Sequence, residues 1–160
     1  MRLEFTCYAR PEPQGSSRGF VMKGTWGRKD RVVITSTNKK LKPYRQELTN
    51  TVSVMLSERG LERPLAGKHI PVMLDFVFYF QKPPSIPKKR TELVVKPDLD
   101  KICRSTIDSL TGLLYLDDAQ VVQFAARKAY GIPERAEISV TILDERVTQT
   151  EGALLFATEE

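Results

Sequence analysis

The sequence predicts an α+β fold: a mixed β-sheet covered by two main helices, in a single domain. Three observations lead there. Apolar residues alternate with a period of two in several short runs. They recur at three- or four-residue steps in only two longer segments. And 160 residues can bury one good core but are short for two. No internal repeat or domain boundary interrupts the order strand, hairpin, helix, strand, helix, strand, strand. The folded domain is expected to span 1–146, with 147–160 an acidic, flexible tail.

The elements follow in order. Arg2–Ala9 alternates, with Leu3, Phe5, Cys7 and Ala9 on one side, as a half-buried strand does. A polar turn region follows, then β-like runs at Gly19–Lys23 and Arg31–Ser36, a hairpin with a basic tip. Trp26 on that tip can anchor the loop or stack on a base; the anchor is the preferred reading. Lys42–Arg59 turns helical: Pro43 suits a first turn, Tyr44, Leu48, Val52 and Met55 keep helical spacing, and Gly60 can close the end. His69–Phe80 is the clearest strand, with Ile70, Val72, Leu74, Phe76, Phe78 and Phe80 sharing a face. His69, the one histidine, reads as structural at the strand entrance. Leu99, Ile102, Cys103, Ile107 and Leu110 mark the second helix, ended by Gly112. Val121–Tyr130 and Glu134–Leu143 form two last strands, with Ala136, Ile138, Val140 and Ile142 facing one way.

Composition narrows the function classes. Hydrophobic residues are 41% and charged residues 28%, ordinary for a globular protein, and no apolar run is long enough to span a bilayer. The N-terminus alternates where a signal peptide would be continuously apolar. Two distant cysteines, Cys7 and Cys103, make a disulfide framework improbable and a reducing cytoplasm the default. The net charge of +5 is unevenly spread: residues 1–45, Arg18 among them, hold eleven Lys and Arg against three acids, whereas 144–160 hold five acids and one base. Such asymmetry points to an anionic partner, or to no more than a solvated basic face. Between Lys82 and Pro97 stand four prolines and five basic residues, Lys82, Lys88, Lys89, Arg90 and Lys96. A sixteen-residue loop of this kind is uncommon in a compact domain unless functional or disordered.

The informative residues are Asp98, Asp100, Asp117 and Asp118. Two residues apart in a helix is about 200°, so Asp98 and Asp100 would diverge; in an extended segment they share a face. Pro97 disfavours helix at Lys96 and prepares a helix starting just after it. The pair therefore sits at an extended-to-helical junction, where both carboxylates can converge. With Asp118 they would form an acidic cluster for one or two Mg²⁺ ions, fit for in-line attack on a phosphodiester. The plain alternative is a helix cap followed by a turn.

The stretch Asp98-Leu99-Asp100-Lys101 … Asp108-Ser109-Leu110 … Leu116-Asp117-Asp118-Ala119-Gln120-Val121 closely resembles the signature of the RusA family of Holliday-junction resolvases: D-L-D-N, a helix, then a leucine-rich step into D-D-A-Q-V. The close match covers about 25 residues, with looser agreement in element order from the Phe-rich strand to Leu143 and no comparable signature over 1–60. The resemblance implies a homodimeric, Mg²⁺-dependent endonuclease that nicks opposing strands of a four-way junction. Its metal-binding aspartates would be Asp98, Asp100 and Asp118, with Asp117 a neighbour that assists.

The chain departs from the pattern at Lys101, where the family has Asn, and at Arg104, where it has a functionally important Lys. Arginine stabilises phosphate charge but does not readily exchange a proton. Arg104 is thus expected to stabilise charge, with Lys101 the secondary group; an Asp100–Arg104 salt bridge is the plain alternative. Lys128 matches a family lysine, but a straight strand would put it about 33 Å from Asp118, so it reads as a DNA-backbone contact or a second basic group of the site. Lys88, Lys89, Arg90, Lys96, Lys128 and Arg18 are the expected DNA contacts, acting by counterion release. Two other classes stay open: a DNA-binding protein of this fold with impaired catalysis, and a Mg²⁺-dependent hydrolase of a small phosphorylated substrate. The basic loop argues against the latter, whose site would be a mostly apolar pocket.

Overall fold

A computed structural model describes residues 1–143 except 25, 27, 28 and 37, and gives the backbone alone at 17, 18, 20 and 34–36. The acidic tail, the side chain of Arg18 and much of the hairpin tip therefore lie outside the described residues. The elements run β1 (Arg2–Cys7), β2 (Ser17–Met22), β3 (Arg31–Ser36), α1 (Leu41–Glu58), β4 (Val72–Phe80), α2 (Leu99–Leu110), β5 (Val121–Tyr130) and β6 (Arg135–Ile142). The fold is α+β. β2 and β3 form a separate antiparallel hairpin. The main sheet has the order β1-β6-β4-β5, mixed because β4 and β5 run parallel and the other pairs antiparallel.

Period-two alternation sets the sheet's faces. Leu3 stands opposite Val140, which stands opposite Leu74; Phe5, Ile138 and Phe76 form the next row, and Cys7, Ala136 and Phe78 the third. These side chains are buried, Phe5 partly, in one apolar cluster with Tyr44, Leu48, Val52 and Leu56 of α1 and Ile102, Cys103 and Leu110 of α2. Each large apolar side chain fully buried there contributes about 1.5–3 kcal/mol. α1 packs on α2 and β1, and α2 packs on β5. The two helices are tied by a buried hydrogen bond of 2.8 Å between Tyr44 Oη and Thr106 Oγ1. Glu4, Asp75, Val77, Glu137 and Ser139 line the opposite face.

Most element bounds agree with the sequence reading; β4 does not. It begins at Val72 instead of His69, because His69 has φ +67, Ile70 N–H closes a turn onto Gly67 O, and Pro71 has no N–H to give a ladder. In α1, Pro43 falls in the first turn, where backbone N–H groups have no helical partner anyway. Gly60 follows the helix with φ +63, the left-handed residue that ends many helices. The 82–97 segment contains neither helix nor strand. It is nevertheless shaped: Leu93 is buried, and Lys82 Nζ donates to Lys88 O at 3.1 Å and Arg90 O at 2.6 Å. Among the described residues no helix is long and apolar enough to cross a membrane.

Candidate active site

The start of α2 is the junction that Pro97 dictates. Asp98 is extended, with φ −69 and ψ 131, and its carbonyl accepts the first helical bond from Ile102. Its carboxylate does not cap the helix; it accepts from Lys101 Nζ at 2.8 Å. That hydrogen bond and charge, aided by Lys96 and Lys128, hold the Asp98 carboxyl below its ordinary value of 3.8. Lys101 is correspondingly held above its ordinary 10.5.

Asp100 opens a different side of the helix. With Arg104, Ile107 and Asp108 it follows the i, i+4, i+7, i+8 stripe of one face. These residues, together with Cys103, Asp118, Val121 and Phe124, line an opening of about 330 Å³ between α2 and β5. A register shift at Val72/Met73 in the β4–β5 pairing brings Val121 and Phe124 into the same opening. Arg104 is exposed, and among the described residues it forms no ion pair; the Asp100–Arg104 bridge is not formed. Asp108 accepts from Arg45 of α1 at 3.0 Å, and the same guanidinium nitrogen donates to Gln14. Burial, and secondarily the charge of Asp100, pushes the Cys103 thiol up to about 11, so this sulfur is no nucleophile near neutrality.

Asp118 is presented by a single 3₁₀ turn, Asp118–Gln120, just before β5. Asp117 caps that turn: its carboxylate accepts from Ala119 N–H at 2.8 Å. Gln120 Oε1 accepts the N–H groups of Leu116 and Asp117, while its Nε2 donates to Gly67 O and Ile70 O. Asp117 lines a neighbouring opening with Lys68 and His69, not the one that holds Asp118.

Asp100, Arg104 and Asp118 are thus brought to one opening, while Asp98 and Lys101 line the next. Among the described residues no three His, Cys, Asp or Glu side chains are gathered closely enough to hold a metal ion, so the expected convergence of Asp98, Asp100 and Asp118 is not seen. The physical reason is placement: Asp98, extended at the N-cap, lines one opening, where it pairs with Lys101, whereas Asp100, already inside the helix, lines another with Asp118. Asp100 and Asp118 remain two exposed, hard oxygen donors. That set suits Mg²⁺, which is commonly bound through one or two carboxylates with water and substrate phosphate completing its shell.

Lys128 lies at the other end of β5 from Asp118, as the strand length requires. Its ammonium donates to Val95 O at 2.7 Å and Pro97 O at 2.9 Å, fastening the segment that leads into Asp98. Lys88, Lys89, Arg90 and Lys96 are exposed. Trp26 is fully exposed with φ +55, so the anchoring role preferred from sequence is not observed.

Two groups near the site were missed in the sequence. One is Asp108 with Arg45; the helical spacing 100, 104, 108 was a signal for the first, whereas its partner lies on another helix. The other is the arm at 10–16, where Gln14 N–H donates to Lys101 O at 2.9 Å and Ser105 Oγ to Glu12 O at 2.6 Å. No local pattern marks that contact. The arm and α2 enclose an opening of about 360 Å³ whose lining includes Arg10, Gln14, Lys40, Lys96, Asp98 and Lys101.

Residues 12–141 match the family described as endodeoxyribonuclease RusA. The chain is also similar to an uncharacterized protein, YqaN, of Bacillus subtilis (strain 168), with 29% identity over 148 residues, covering 86% of this chain and 94% of that protein.

Proposed function

The chain belongs to the RusA family of endodeoxyribonucleases, and on that premise we propose that it resolves four-way DNA junctions by Mg²⁺-dependent phosphodiester hydrolysis at the opening between α2 and β5. The observation that carries the reading is the meeting of Asp100 and Arg104 of α2 with Asp118 of the 3₁₀ turn that follows it, in one exposed opening. Asp100 and Asp118 would hold the cation, with Asp98 as a further donor. Bound there, a divalent cation supplies Lewis-acid polarisation of the phosphate and a water nucleophile at neutral pH.

The chain's own groups do the rest. Arg104, without an ion pair among the described residues and at the middle of the helical stripe, donates to the phosphate oxygens as negative charge builds on them. Asp117 and Gln120 position Asp118 by locking its turn. Lys128 positions the approach to Asp98. Lys88, Lys89, Arg90, Lys96 and Arg18 hold the DNA backbone without reading bases, as suits an enzyme that recognises shape. Paired nicks on opposing strands need two such sites, so the working form is a homodimer, acting in the cytoplasm in recombination and repair. A second reading, a DNA-binding protein of this fold with impaired catalysis, is favoured by the Asp98–Lys101 pair.

Incubation with a synthetic four-way junction, with and without Mg²⁺ and beside a linear duplex, separates the two. Paired nicks in the junction alone, dependent on Mg²⁺ and lost in Asp118→Asn with binding retained, are expected. Junction binding with no cleavage at any Mg²⁺ concentration would establish the second reading.

A further inference from the structure

We propose that Lys101 is a built-in counter-ion that holds Asp98 away from the cation in the free protein and releases it when a DNA phosphate enters the adjoining basic opening. The proposal rests on the metal site described under the proposed function and concerns how that site is controlled.

Four observations support it. First, Asp98 stands at the N-cap of α2, where an aspartate ordinarily accepts backbone N–H groups. It accepts from Lys101 Nζ at 2.8 Å and makes no cap bond. Secondly, the pair is exchangeable: its side chains are 43% and 50% exposed, and exposed ion pairs are weak because water screens them. Thirdly, Lys101 has a second place to go. The 360 Å³ opening that Lys101 lines together with Asp98 also carries Arg10, Lys40 and Lys96, and its other acid, Glu12, is paired with Arg10. Lys40 and Lys96 enter no ion pair among the described residues, so the opening carries cationic charge to spare and suits a phosphate. Fourthly, among the described residues the side-chain partner of Asp98 is Lys101, a group that an anion can draw off.

Asp98 then has two competing cations, the ammonium and the metal, and the ammonium has two competing anions, Asp98 and phosphate. DNA that engages Lys101 strengthens cation binding, and by reciprocity the cation strengthens DNA binding. A metal site kept weak until substrate arrives limits hydrolysis of DNA that does not fill the basic opening.

The test is isothermal titration of Mn²⁺ into the full chain without DNA, for the natural sequence, Lys101→Asn, Lys101→Arg and Lys96→Gln, each checked for an unchanged thermal midpoint. Lys101→Asn should bind Mn²⁺ tighter by about 1.4- to 5-fold, the range an exposed ion pair is worth. Lys101→Arg keeps the pair and should match the natural chain. Lys96→Gln removes a nearby charge without removing the pair and should tighten binding less. A saturating four-way junction should narrow the gap between the natural chain and Lys101→Asn. Equal Mn²⁺ affinity in Lys101→Asn and the natural chain overturns the proposal; so does equal tightening in Lys96→Gln, which would reveal a general field effect. If none of the four chains binds Mn²⁺ while the junction still binds, the metal site itself falls, and the counter-ion role with it.

Discussion

Replacing Lys88, Lys89 and Arg90 together by Gln should weaken junction binding and flatten its salt dependence by a calculable amount. All three side chains are exposed, and among the described residues none forms an ion pair, so each is available to a phosphate. The bonds that shape this segment run from Lys82 to the backbone carbonyls of Lys88 and Arg90, which substitution leaves in place. The triple variant therefore loses charge without losing loop shape. Each phosphate contact contributes about 0.9 unit of log–log slope, so three lost contacts lower it by about 2.7. Over a rise from about 50 to about 200 mM salt, that difference makes the variant's loss of affinity about 40-fold smaller. The assay is fluorescence anisotropy of a labelled four-way junction in an Asp118→Asn background, titrated at a series of KCl concentrations. An unchanged slope in a variant of unchanged thermal midpoint would refute this DNA path and move it to the 18–45 region.

Three further outcomes are expected. Arg104→Lys should retain substantial single-turnover cleavage because the positive charge persists, while Arg104→Ala should lose on the order of 10²-fold; natural rates in the alanine variant would remove Arg104 from the mechanism. Lys128→Met strips two charge-assisted bonds from the carbonyls of Val95 and Pro97 and should cost about 1–2 kcal/mol. Its thermal midpoint should fall by several degrees, with faster hydrogen exchange at the start of α2, and an unchanged midpoint would show that the segment needs no fastening. For Cys103, the folded thiol is raised from 9.0 to about 11, so the unfolded chain ionises first: its contribution to stability is intact below pH 9.0 and is lost as pH rises towards about 11. Urea midpoints of the natural chain should therefore fall more between pH 8 and pH 10.5 than those of Cys103→Ala, and parallel falls would contradict the buried, neutral thiol.

Much of this fold was legible without coordinates because burial acts through a local period. Ala136, Ile138, Val140 and Ile142 alternate along β6 and all face the core, and α2 runs from Leu99 to Leu110, as the spacing of its apolar residues and the position of Pro97 indicated. The order of the elements and the extended-to-helical setting of Asp98 and Asp100 followed from the same local chemistry. The D-L-D and D-D-A-Q-V runs also pointed to the family before any geometry was known.

Tertiary structure decided the partners. It set Asp100 and Asp118 across one opening, gave Asp108 to Arg45, and laid Lys128 on the carbonyls of residues 95 and 97, whereas the partners of Asp98 and Asp117 are local, three and two residues along the chain. The arm at 10–16 reaches α2 across some ninety residues of chain, as in the Glu12–Ser105 contact. A one-dimensional pattern records which side of an element is apolar, because that choice repeats every two or 3.6 residues. Which acid meets which base has no period: it depends on how helices and strands dock, and docking is settled by the shape of the whole core.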